Sequence, residues 1–503
     1  MRRNTKGRVL RSTLATSGAF ALALLGLTVL SAPASAASTV GNVPEGPYTL
    51  TITKLQNPET GPISNDGGNQ QSTDGLTPIP GVDYTIAPVN GVDLSTAAGW
   101  QTASHLTVNS QGVVTDPNDN VYTVGTETTL PSTNADGVTT YTTNDEAVYL
   151  VTEASAPGSV IAVAPPFLVT LPLPNNNAWL TNVFVYPKNT VASAPTKTVD
   201  DSSAHGLGQQ VNWTIHSTVP SFAPPASLTS YVVKDALDSR LALTATSDVT
   251  ATLNGTAVPA NDYAVAVDAT NHVSVTFTQA GIELLAQNPG GALAVLIPTT
   301  VTSVGSGTIQ NTPVVSVNGD DFTGPPAQTT WGSLQLKKVD AANPGNALAG
   351  AVFQIFTSEN DAKNLSNPVS VNGSTSFTSA SDGLVTVAGL KAQNNGTGAN
   401  LTYYIVEVTP PTGFQVAPGF AQSNGGSAVT VAPGGIDNNP QIVVADPQVP
   451  PLSLPLTGST GTVLFATSGA ALIAIALGVA IVIARRKRHS ATSPDAGKAT
   501  SLT

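Results

Sequence analysis

The sequence predicts an all-β protein built from three tandem β-sandwich domains. Short runs rich in Val, Ile, Thr and Tyr recur along the chain, and clusters of Gly, Pro, Asn and Asp separate them, as expected for strands joined by turns. Many runs alternate apolar and polar residues, as strands with one buried face do. No long helical pattern occurs between residues 40 and 450. The clearest predicted strands are Tyr48–Leu55, Val211–Ser217, His272–Thr278 and Leu401–Val408.

The first 36 residues have the pattern of a secretory signal peptide. A basic run, Arg2–Arg11, precedes the apolar stretch Ala19–Leu30, and the small residues Ala34–Ala36 form a cleavage site. This order is typical of a segment that is removed on export. The apolar stretch is shorter than a membrane-spanning helix, which needs about 20 residues. We therefore expect cleavage after Ala36 and an extracellular mature chain.

Roughly 420 residues lie between the signal peptide and the C-terminal segment that begins at residue 451, which suggests three domains of ordinary size. Turn-rich joints near Pro187–Pro195 and Gly324–Trp331 divide this stretch into domains at 37–193, 194–330 and 331–450. Short helices are expected around Asp93–Gly99 and Thr278–Leu285.

The first and third predicted domains share a weak repeat. Each begins with a lysine-bearing strand, which carries Lys54 in the first domain and Lys337 and Lys338 in the third. Each also has a late strand in which Glu precedes Pro, with Glu153 in YLVTEASAP and Glu407 in YYIVEVTPP. The repeat suggests that one type of sandwich is used more than once.

Composition excludes or disfavours several classes of protein. The chain has no Cys, a net charge of -12 and only 10% charged residues, so disulfides are excluded and nucleic-acid binding is disfavoured. Its five His show no metal-ligand spacing. No nucleophile elbow or phosphate-binding loop occurs. We therefore expect no metal, no cofactor and no enzyme that turns over a substrate.

The C-terminal end combines three features in a fixed order. The pentapeptide Leu454-Pro455-Leu456-Thr457-Gly458 precedes the uncharged stretch Val463–Ala484, and the basic run Arg485–Arg488 follows. A stretch of this length is able to cross a bilayer, and the positive charge holds its end in the cytoplasm. The Pro-rich stretch Pro447–Ser453 favours an extended spacer.

This arrangement, at 451–488 with a short tail at 489–503, resembles the cell-wall sorting signal of LPXTG proteins. The resemblance implies that a sortase cysteine attacks the carbonyl of Thr457 and releases the part from Gly458 onward, including the tail. An amine then resolves the acyl-enzyme.

A second motif stands near the first domain boundary. Residues 179–189 read WLTNVFVYPKN, which resembles the pilin motif of LPXTG-anchored backbone pilins of Gram-positive bacteria. The resemblance implies that Lys188, beside Tyr186 and Asn189, is the amine that resolves the acyl-enzyme of another subunit. Pro187 lacks an amide donor and is expected to end sheet pairing there. The alternative is an ordinary solvated lysine between domains.

Because the chain has no cysteine, any internal crosslink must be of a kind other than a disulfide. From about residue 195 the chain resembles the middle domain of backbone pilins, which forms a Lys–Asn isopeptide bond. The resemblance assigns Lys197, Asp235 and Asn311 to this bond. Apolar burial would lower the pKa of the lysine and raise that of the acid, so that a neutral amine is able to attack a polarised amide.

From Trp331 the chain resembles a Cna-B-type domain, an Ig-like sandwich with the same kind of bond. The matching residues are Lys338, Glu407 and Asp446, and Asp446 stands where that family has Asn. Aspartate condenses with lysine by losing water. Lys337 competes with Lys338, because neighbours on a strand face opposite ways.

The sequence does not predict a crosslink in the first domain and leaves open whether one forms. Lys54 and Glu153 fit the pattern, but no terminal Asn or Asp partner is found before the pilin motif.

The resemblances imply the shaft subunit of a sortase-assembled pilus, joined from Thr457 to Lys188 of the next subunit and attached to the cell wall to support adhesion. The implied partners are a class C pilus sortase, a housekeeping sortase, other copies of the chain, peptidoglycan, tip and basal pilins, and a host surface ligand. The alternative is a monomeric wall-anchored adhesin or an accessory pilin. An adhesin of that kind needs the sorting signal but no acceptor lysine.

Overall fold

The structure is a computed structural model that describes residues 42–57, 68–224, 226–451 and 469–483. The predicted signal peptide and the pentapeptide at 454–458 lie outside these ranges. Residues 469–483 are helical. Within the described ranges, no helix has the length and apolar character needed to cross a membrane. The predicted span Val463–Ala484 extends beyond the described residues at both ends.

The first domain packs strands around a core that includes Leu50, Ile52, Tyr84 and Val151. Its larger sheets have the orders β14-β1-β8, β10-β15-β2 and β11-β9-β3-β7, and β12 and β13 form a two-stranded ribbon. The elements are β1 Tyr48–Thr53, β2 Leu55–Gln56, β3 Asp83–Pro88, α1 Ala97–His105, β4 Thr107–Val108, β5 Val114–Thr115, β6 Val121–Tyr122, β7 Thr128–Thr129, β8 Val138–Thr143, β9 Ala147–Ser155, β10 Val160–Ala162, β11 Phe167–Leu171, β12 Leu173–Asn175, β13 Ala178–Leu180, β14 Asn182–Val185 and β15 Lys188–Val191.

Helix α1 and the small sheet β4-β5-β6 form an insertion with its own core around Trp100. The helix begins later than predicted. Thr96 caps it by accepting a hydrogen bond from the amide of Gly99, whereas Asp93 accepts from Ser95 in the preceding turn. The side chains of Asx and Ser/Thr turns commonly start helices in this way.

The second domain is a sandwich of two antiparallel sheets. One sheet has the order β16-β17-β24-β20-β21, with β19 also paired to β24, and the other has the order β22-β23-β18-β26-β27. The elements are β16 Thr196–Asp200, β17 Gln210–Thr218, β18 Tyr231–Ala236, β19 Leu241–Leu243, β20 Thr250–Leu253, β21 Thr256–Ala257, β22 Tyr263–Val267, β23 His272–Phe277, α2 Gln279–Ala286, β24 Ala292–Val301, β25 Thr308–Asn311, β26 Pro313–Val317 and β27 Asp320–Thr323, with single-turn 3-10 helices at Thr246–Asp248 and Ala260–Asp262.

The third domain is also a sandwich. Its sheets are β25-β28-β31, with β34 parallel to β28, and β30-β29-β32-β33. The elements are β28 Ala327–Asp340, β29 Val352–Phe356, α3 Glu359–Asn364, β30 Phe377–Thr378, β31 Leu384–Gln393, β32 Thr402–Thr409, β33 Ser427–Thr430 and β34 Ile442–Asp446, with single-turn 3-10 helices at Asn394–Gly396, Pro418–Phe420, Gln422–Asn424 and Ile436–Asn438.

The predicted all-β class is confirmed, and each of the four clearest predicted strands is present with small changes in its bounds. The first of them breaks at Lys54 into β1 and β2. Helix α3 was not anticipated; Ser358 caps it by accepting from the amide of Asp361.

Strand β28 is continuous across the predicted boundary between residues 330 and 331. Its first half pairs with β25 of the second domain, and its second half pairs with β31 and β34 of the third. The second and third domains therefore share a strand, and a single apolar core runs through both.

Candidate functional site

The second domain brings Lys197, Asp235 and Asn311 together in its interior. They lie on β16, β18 and β25, three strands that are distant in sequence. The Nζ atom of Lys197 is 2.5 Å from Oδ2 of Asp235, and both side chains are fully buried. Asn311 donates its amide hydrogen to the same oxygen at 3.2 Å. The carboxyl group thus lies between the amine and the amide.

Burial shifts the pKa values of the lysine and the aspartate in this group. It lowers the pKa of Lys197 to about 8, against the opposing effect of Asp235, and it raises the pKa of Asp235. The ring of Trp213 lies 5.4 Å from the lysine nitrogen. Oδ1 of Asp235 and Oδ1 of Asn311 are buried without a hydrogen-bond partner among the described residues. A proton on Asp235 would supply a donor where the ionised form has none, and burial shifts both groups toward their neutral forms.

The third domain repeats the arrangement with Lys338 on β28, Glu407 on β32 and Asp446 on β34. The Nζ atom of Lys338 is 2.9 Å from Oε2 of Glu407 and is also in contact with Oδ1 of Asp446. The backbone amide of Ala417 donates to that Oδ1 at 2.9 Å. All three side chains are buried.

The two adjacent lysines of β28 face opposite sides of the sheet. Lys338 points into the core, while Lys337 is half-buried on the other face and donates to the carbonyl oxygen of Asp382 at 2.5 Å. Of the two lysines left open by the sequence, Lys338 is the one that reaches Glu407.

Glu407 is poised to carry a proton at neutral pH. Burial, opposed by Lys338 and reinforced by the neighbouring Asp446 carboxyl, raises the pKa of Glu407 to about 7. Oε1 of Glu407 and Oδ2 of Asp446 have no donor within the described structure. One proton shared by the two adjacent carboxyl groups would remove the repulsion between them. It would also give one of the unpaired oxygens a hydrogen-bond partner.

The first domain contains a third group of this kind, and its third member is Asn189, inside the pilin motif, where the sequence led to no predicted bond. Lys54 places its Nζ atom 2.6 Å from Oε2 of Glu153. Asn189 donates its side-chain amide to Oε1 of the same glutamate at 2.5 Å. The backbone amide of Ala164 donates to Oδ1 of Asn189 at 2.7 Å, which polarises the amide carbonyl.

Asn189 was missed because it lies within the pilin motif, one residue after Lys188. Residues on β15 alternate in direction, so Lys188 is half-buried at the surface while Asn189 is 0% exposed. If the alternation of inward and outward side chains had been applied to the pilin motif, it would have predicted that Asn189 points inward when Lys188 points outward.

Lys54 lies at the break between β1 and β2. Gly137 approaches this break closely, and a Cβ atom on it would lie 2.4 Å from the carbonyl oxygen of Lys54. Burial lowers the pKa of Lys54 to about 8, and Glu153 acts in the opposite direction. The ring of Tyr84 lies 5.8 Å from the lysine nitrogen.

Lys188, the predicted acceptor, begins β15 beside the joint between the first two domains. Pro187 separates β14, in one sheet, from β15, which pairs with β2 and β10 in another. Asn57 donates to Thr190 at 2.8 Å and to the carbonyl oxygen of Ser221, in the second domain, at 3.3 Å. These contacts fix the acceptor strand at the domain joint.

The amine of Lys188 is weakly hydrogen-bonded in the part of the chain that the structure describes. Its Nζ atom makes one long contact, 3.4 Å from the carbonyl oxygen of Tyr186, and partial burial lowers its pKa. The other lysines in the described ranges all have closer partners: Lys54 with Glu153, Lys197 with Asp235, Lys234 with Asp321, Lys337 with Asp382, Lys338 with Glu407, Lys363 with Glu359 and Lys391 with Asp201.

Comparison with known families gives three matches along the chain. Residues 46–190 match the model of the Gram-positive pilin subunit D1, N-terminal domain. Residues 332–422 match a prealbumin-like fold domain, and residues 453–490 match the LPXTG cell wall anchor motif.

Similar proteins cover almost the whole chain. The type 2 fimbrial subunit of Actinomyces naeslundii is 32% identical, over 95% of this chain and 97% of that protein. The type 1 fimbrial subunit of Actinomyces viscosus is 27% identical, over 96% and 98%. Among solved structures, the full-length major pilin SpaD of Corynebacterium diphtheriae superposes with a TM-score of 0.64 at 22% identity, over 81% of this chain and 98% of SpaD.

Proposed function

This chain belongs to the fimbrial subunits of Gram-positive bacteria, and from that premise we propose that Thr457 of one copy is joined to Nζ of Lys188 in the next. The protein is a shaft subunit of an extracellular pilus anchored to the cell wall, processed by a sortase and polymerised with other pilin subunits. Its role is structural.

The observation that supports the acceptor assignment is the state of Lys188. Its amine is close to the surface, is engaged by one long hydrogen bond of 3.4 Å, and has a pKa lowered by burial. A neutral amine is the nucleophile that resolves a thioester. In the transfer, the Thr457 carbonyl carbon leaves the sortase cysteine, the cysteine departs as a thiol, and the Lys188 nitrogen loses one proton.

Peptide mapping of pili from the native cell wall tests this linkage directly. We expect a branched peptide in which the chain ending at Thr457 is attached to Nζ of Lys188. A map in which every Lys188 peptide is unbranched would contradict the assignment.

On the basis of the motifs, we assign subunit joining and attachment to the cell wall to different enzymes. A class C pilus sortase is the partner for subunit joining, and a housekeeping sortase is the partner for transfer to peptidoglycan. Tip and basal pilins and a host surface ligand complete the proposed set of partners.

We further propose that the three buried groups condense once, without an enzyme, as the chain folds. Lys54 would bond to Asn189 and Lys197 to Asn311, each with loss of ammonia, while Lys338 would bond to Asp446 with loss of water. In each case the amine nitrogen attacks the side-chain carbonyl carbon, and Glu153, Asp235 or Glu407 passes the proton to the leaving group. Folding holds the amine, the acid and the side chain under attack in one buried group, which makes the step effectively unimolecular.

The intact mass of the exported chain tests all three bonds together. We expect it to fall below the mass calculated from the sequence by two molecules of ammonia and one of water. A Glu153→Gln chain should lack one of the two ammonia losses, because glutamine does not carry the proton. Glu283→Gln, on the exposed face of α2, is the matched control and should show all three losses. A Glu153→Gln chain with all three losses would contradict the assignment in the first domain.

A further inference from the structure

A fourth buried lysine lies at the joint between the second and third domains. Lys391 is on β31 of the third domain, and Asp201 follows β16 of the second. The Nζ atom of Lys391 is 2.5 Å from the carbonyl oxygen of Asp201 and 3.4 Å from its Oδ1 atom. Both side chains are 0% exposed. None of the proposed bonds uses either residue.

The surroundings of this pair differ from those of the reactive groups in the second and third domains. The hydroxyl of Thr329 donates to Oδ2 of Asp201 at 2.7 Å, and the backbone amide of Asn395 donates to Oδ1 at 3.0 Å. Each oxygen of the carboxylate therefore has a donor, which stabilises the ionised form. In the second and third domains, by contrast, carboxyl oxygens of Asp235 and Glu407 are buried without one.

The donors to Asp201 come from the shared strand and from the third domain. Thr329 lies on the shared strand β28, whereas Lys391 and Asn395 belong to the third domain. Backbone hydrogen bonds continue the contact: the amide of Lys391 donates to His205 at 3.0 Å, and that of Leu207 donates to Gly389 at 3.2 Å. The backbones are close here, since a Cβ atom on Gly206 would lie 2.2 Å from the carbonyl oxygen of Ser370.

We propose that Asp201 and Lys391 form a permanent ion pair that clamps the second domain to the third, and that this pair does not become an amide. Lys391 is the register partner of Trp331 on β28, and Thr329 of the same strand donates to Asp201, so the clamp lies beside the shared strand. It adds a buried ionic contact to the covalent connection through β28 and resists separation of the two domains at this joint.

Hydrogen exchange in the chain released from the cell wall tests the clamp. Lys391→Met removes the ammonium and leaves the carboxylate of Asp201 buried without its counter-charge, which is strongly destabilising for buried pairs. We expect exchange of the joint amides, those of Leu207 and residue 391, to accelerate by at least about 100-fold. Amides of β23, far from the joint, should keep their protection. Exchange at the joint within about threefold of the unsubstituted chain would overturn the proposal.

A double variant separates charge pairing from general damage. Asp201→Asn with Lys391→Gln removes both charges, so no uncompensated charge remains buried. It should accelerate joint exchange less than Lys391→Met does, and an equal or larger acceleration would refute the clamp. Lys234→Met is the matched control, because the pair between Lys234 and Asp321 is exposed and its loss should leave the joint unchanged.

Peptide mapping of the same unsubstituted chain addresses the bond itself. Recovery of Lys391 and Asp201 in separate, unmodified peptides is expected. A crosslinked peptide lighter by one water would show an amide at the joint and would overturn the ion-pair assignment.

Discussion

The Lys188→Arg chain is expected to reach the cell wall as single copies, with the covalent polymer lost completely. Arginine keeps the positive charge, but its guanidinium remains protonated at physiological pH and is a poor nucleophile. Among the described residues, the Lys188 amine makes only the 3.4 Å hydrogen bond with the Tyr186 carbonyl, so the substitution removes little that holds the fold together. Export and folding should therefore be unchanged, and the defect should be confined to joining.

Denaturing gels of material released from the wall measure this outcome. The unsubstituted chain should give a ladder of high-mass species that survives boiling, and Lys188→Arg should give one band at the mass of the monomer. Lys234→Arg is the matched control, because Lys234 is an exposed lysine paired with Asp321 at 2.7 Å, and its ladder should persist. A ladder in the Lys188→Arg chain would mean that another amine accepts Thr457.

The sequence predicted the second and third buried groups because each member is marked by its own local pattern. Lys197 and Lys338 lie on strands with clear alternation, and the acids stand in strands that resemble those of known families. What sequence left open was the direction of side chains. Whether Lys337 or Lys338 points inward depends on which face of β28 meets the core, and that is set by pairing with β31 and β34.

Neither the role of Asn189 nor the ion pair of Asp201 and Lys391 was predicted from the sequence, and the reasons differ. Asn189 lies on the same strand as the acceptor lysine. The motif was assigned the acceptor role alone, although residues on the opposite faces of a strand are able to serve two different roles. Lys391 and Asp201 are 190 residues apart, and neither stands in a recognisable pattern. Their meeting depends on how two domains pack around β28, and that arrangement is set by tertiary contacts.

The proposed bonds determine which residues bear tension in the fibre. Force would enter at Lys188 and leave at Thr457, so the path runs through 188–197, crosses to 311–338 and crosses again to 446–457. Residues 198–310 and 339–445 lie inside closed loops and would be sheltered from extension. The first domain, which precedes Lys188, lies off this path altogether, and its bond would instead hold the acceptor strand in place.

Asp235→Asn is therefore expected to make each subunit extensible under load. The substitution keeps the shape of the side chain but removes the acid that carries the proton, so Lys197 and Asn311 should remain unjoined and the ammonia loss of this domain should disappear from the intact mass. Lys197 and Asn311 are 114 positions apart (311 minus 197). At about 3.3–3.6 Å per extended residue, unfolding this loop adds about 400 Å per subunit.

The same loss should appear in stability without force. On the chain-entropy model, closing a loop of this size stabilises the folded domain by about 4–5 kcal/mol, and all of that would be missing from Asp235→Asn. Asn311→Ala removes the electrophile instead of the acid, leaves the pair of Lys197 and Asp235 intact, and should give the same added length. Asp321→Asn, at an exposed carboxylate of the same domain, should remain as inextensible as the unsubstituted chain. If single-molecule pulling finds no added step in either Asp235→Asn or Asn311→Ala, tension does not pass through this bond, because a path that depended on it would have to lengthen when the bond is absent.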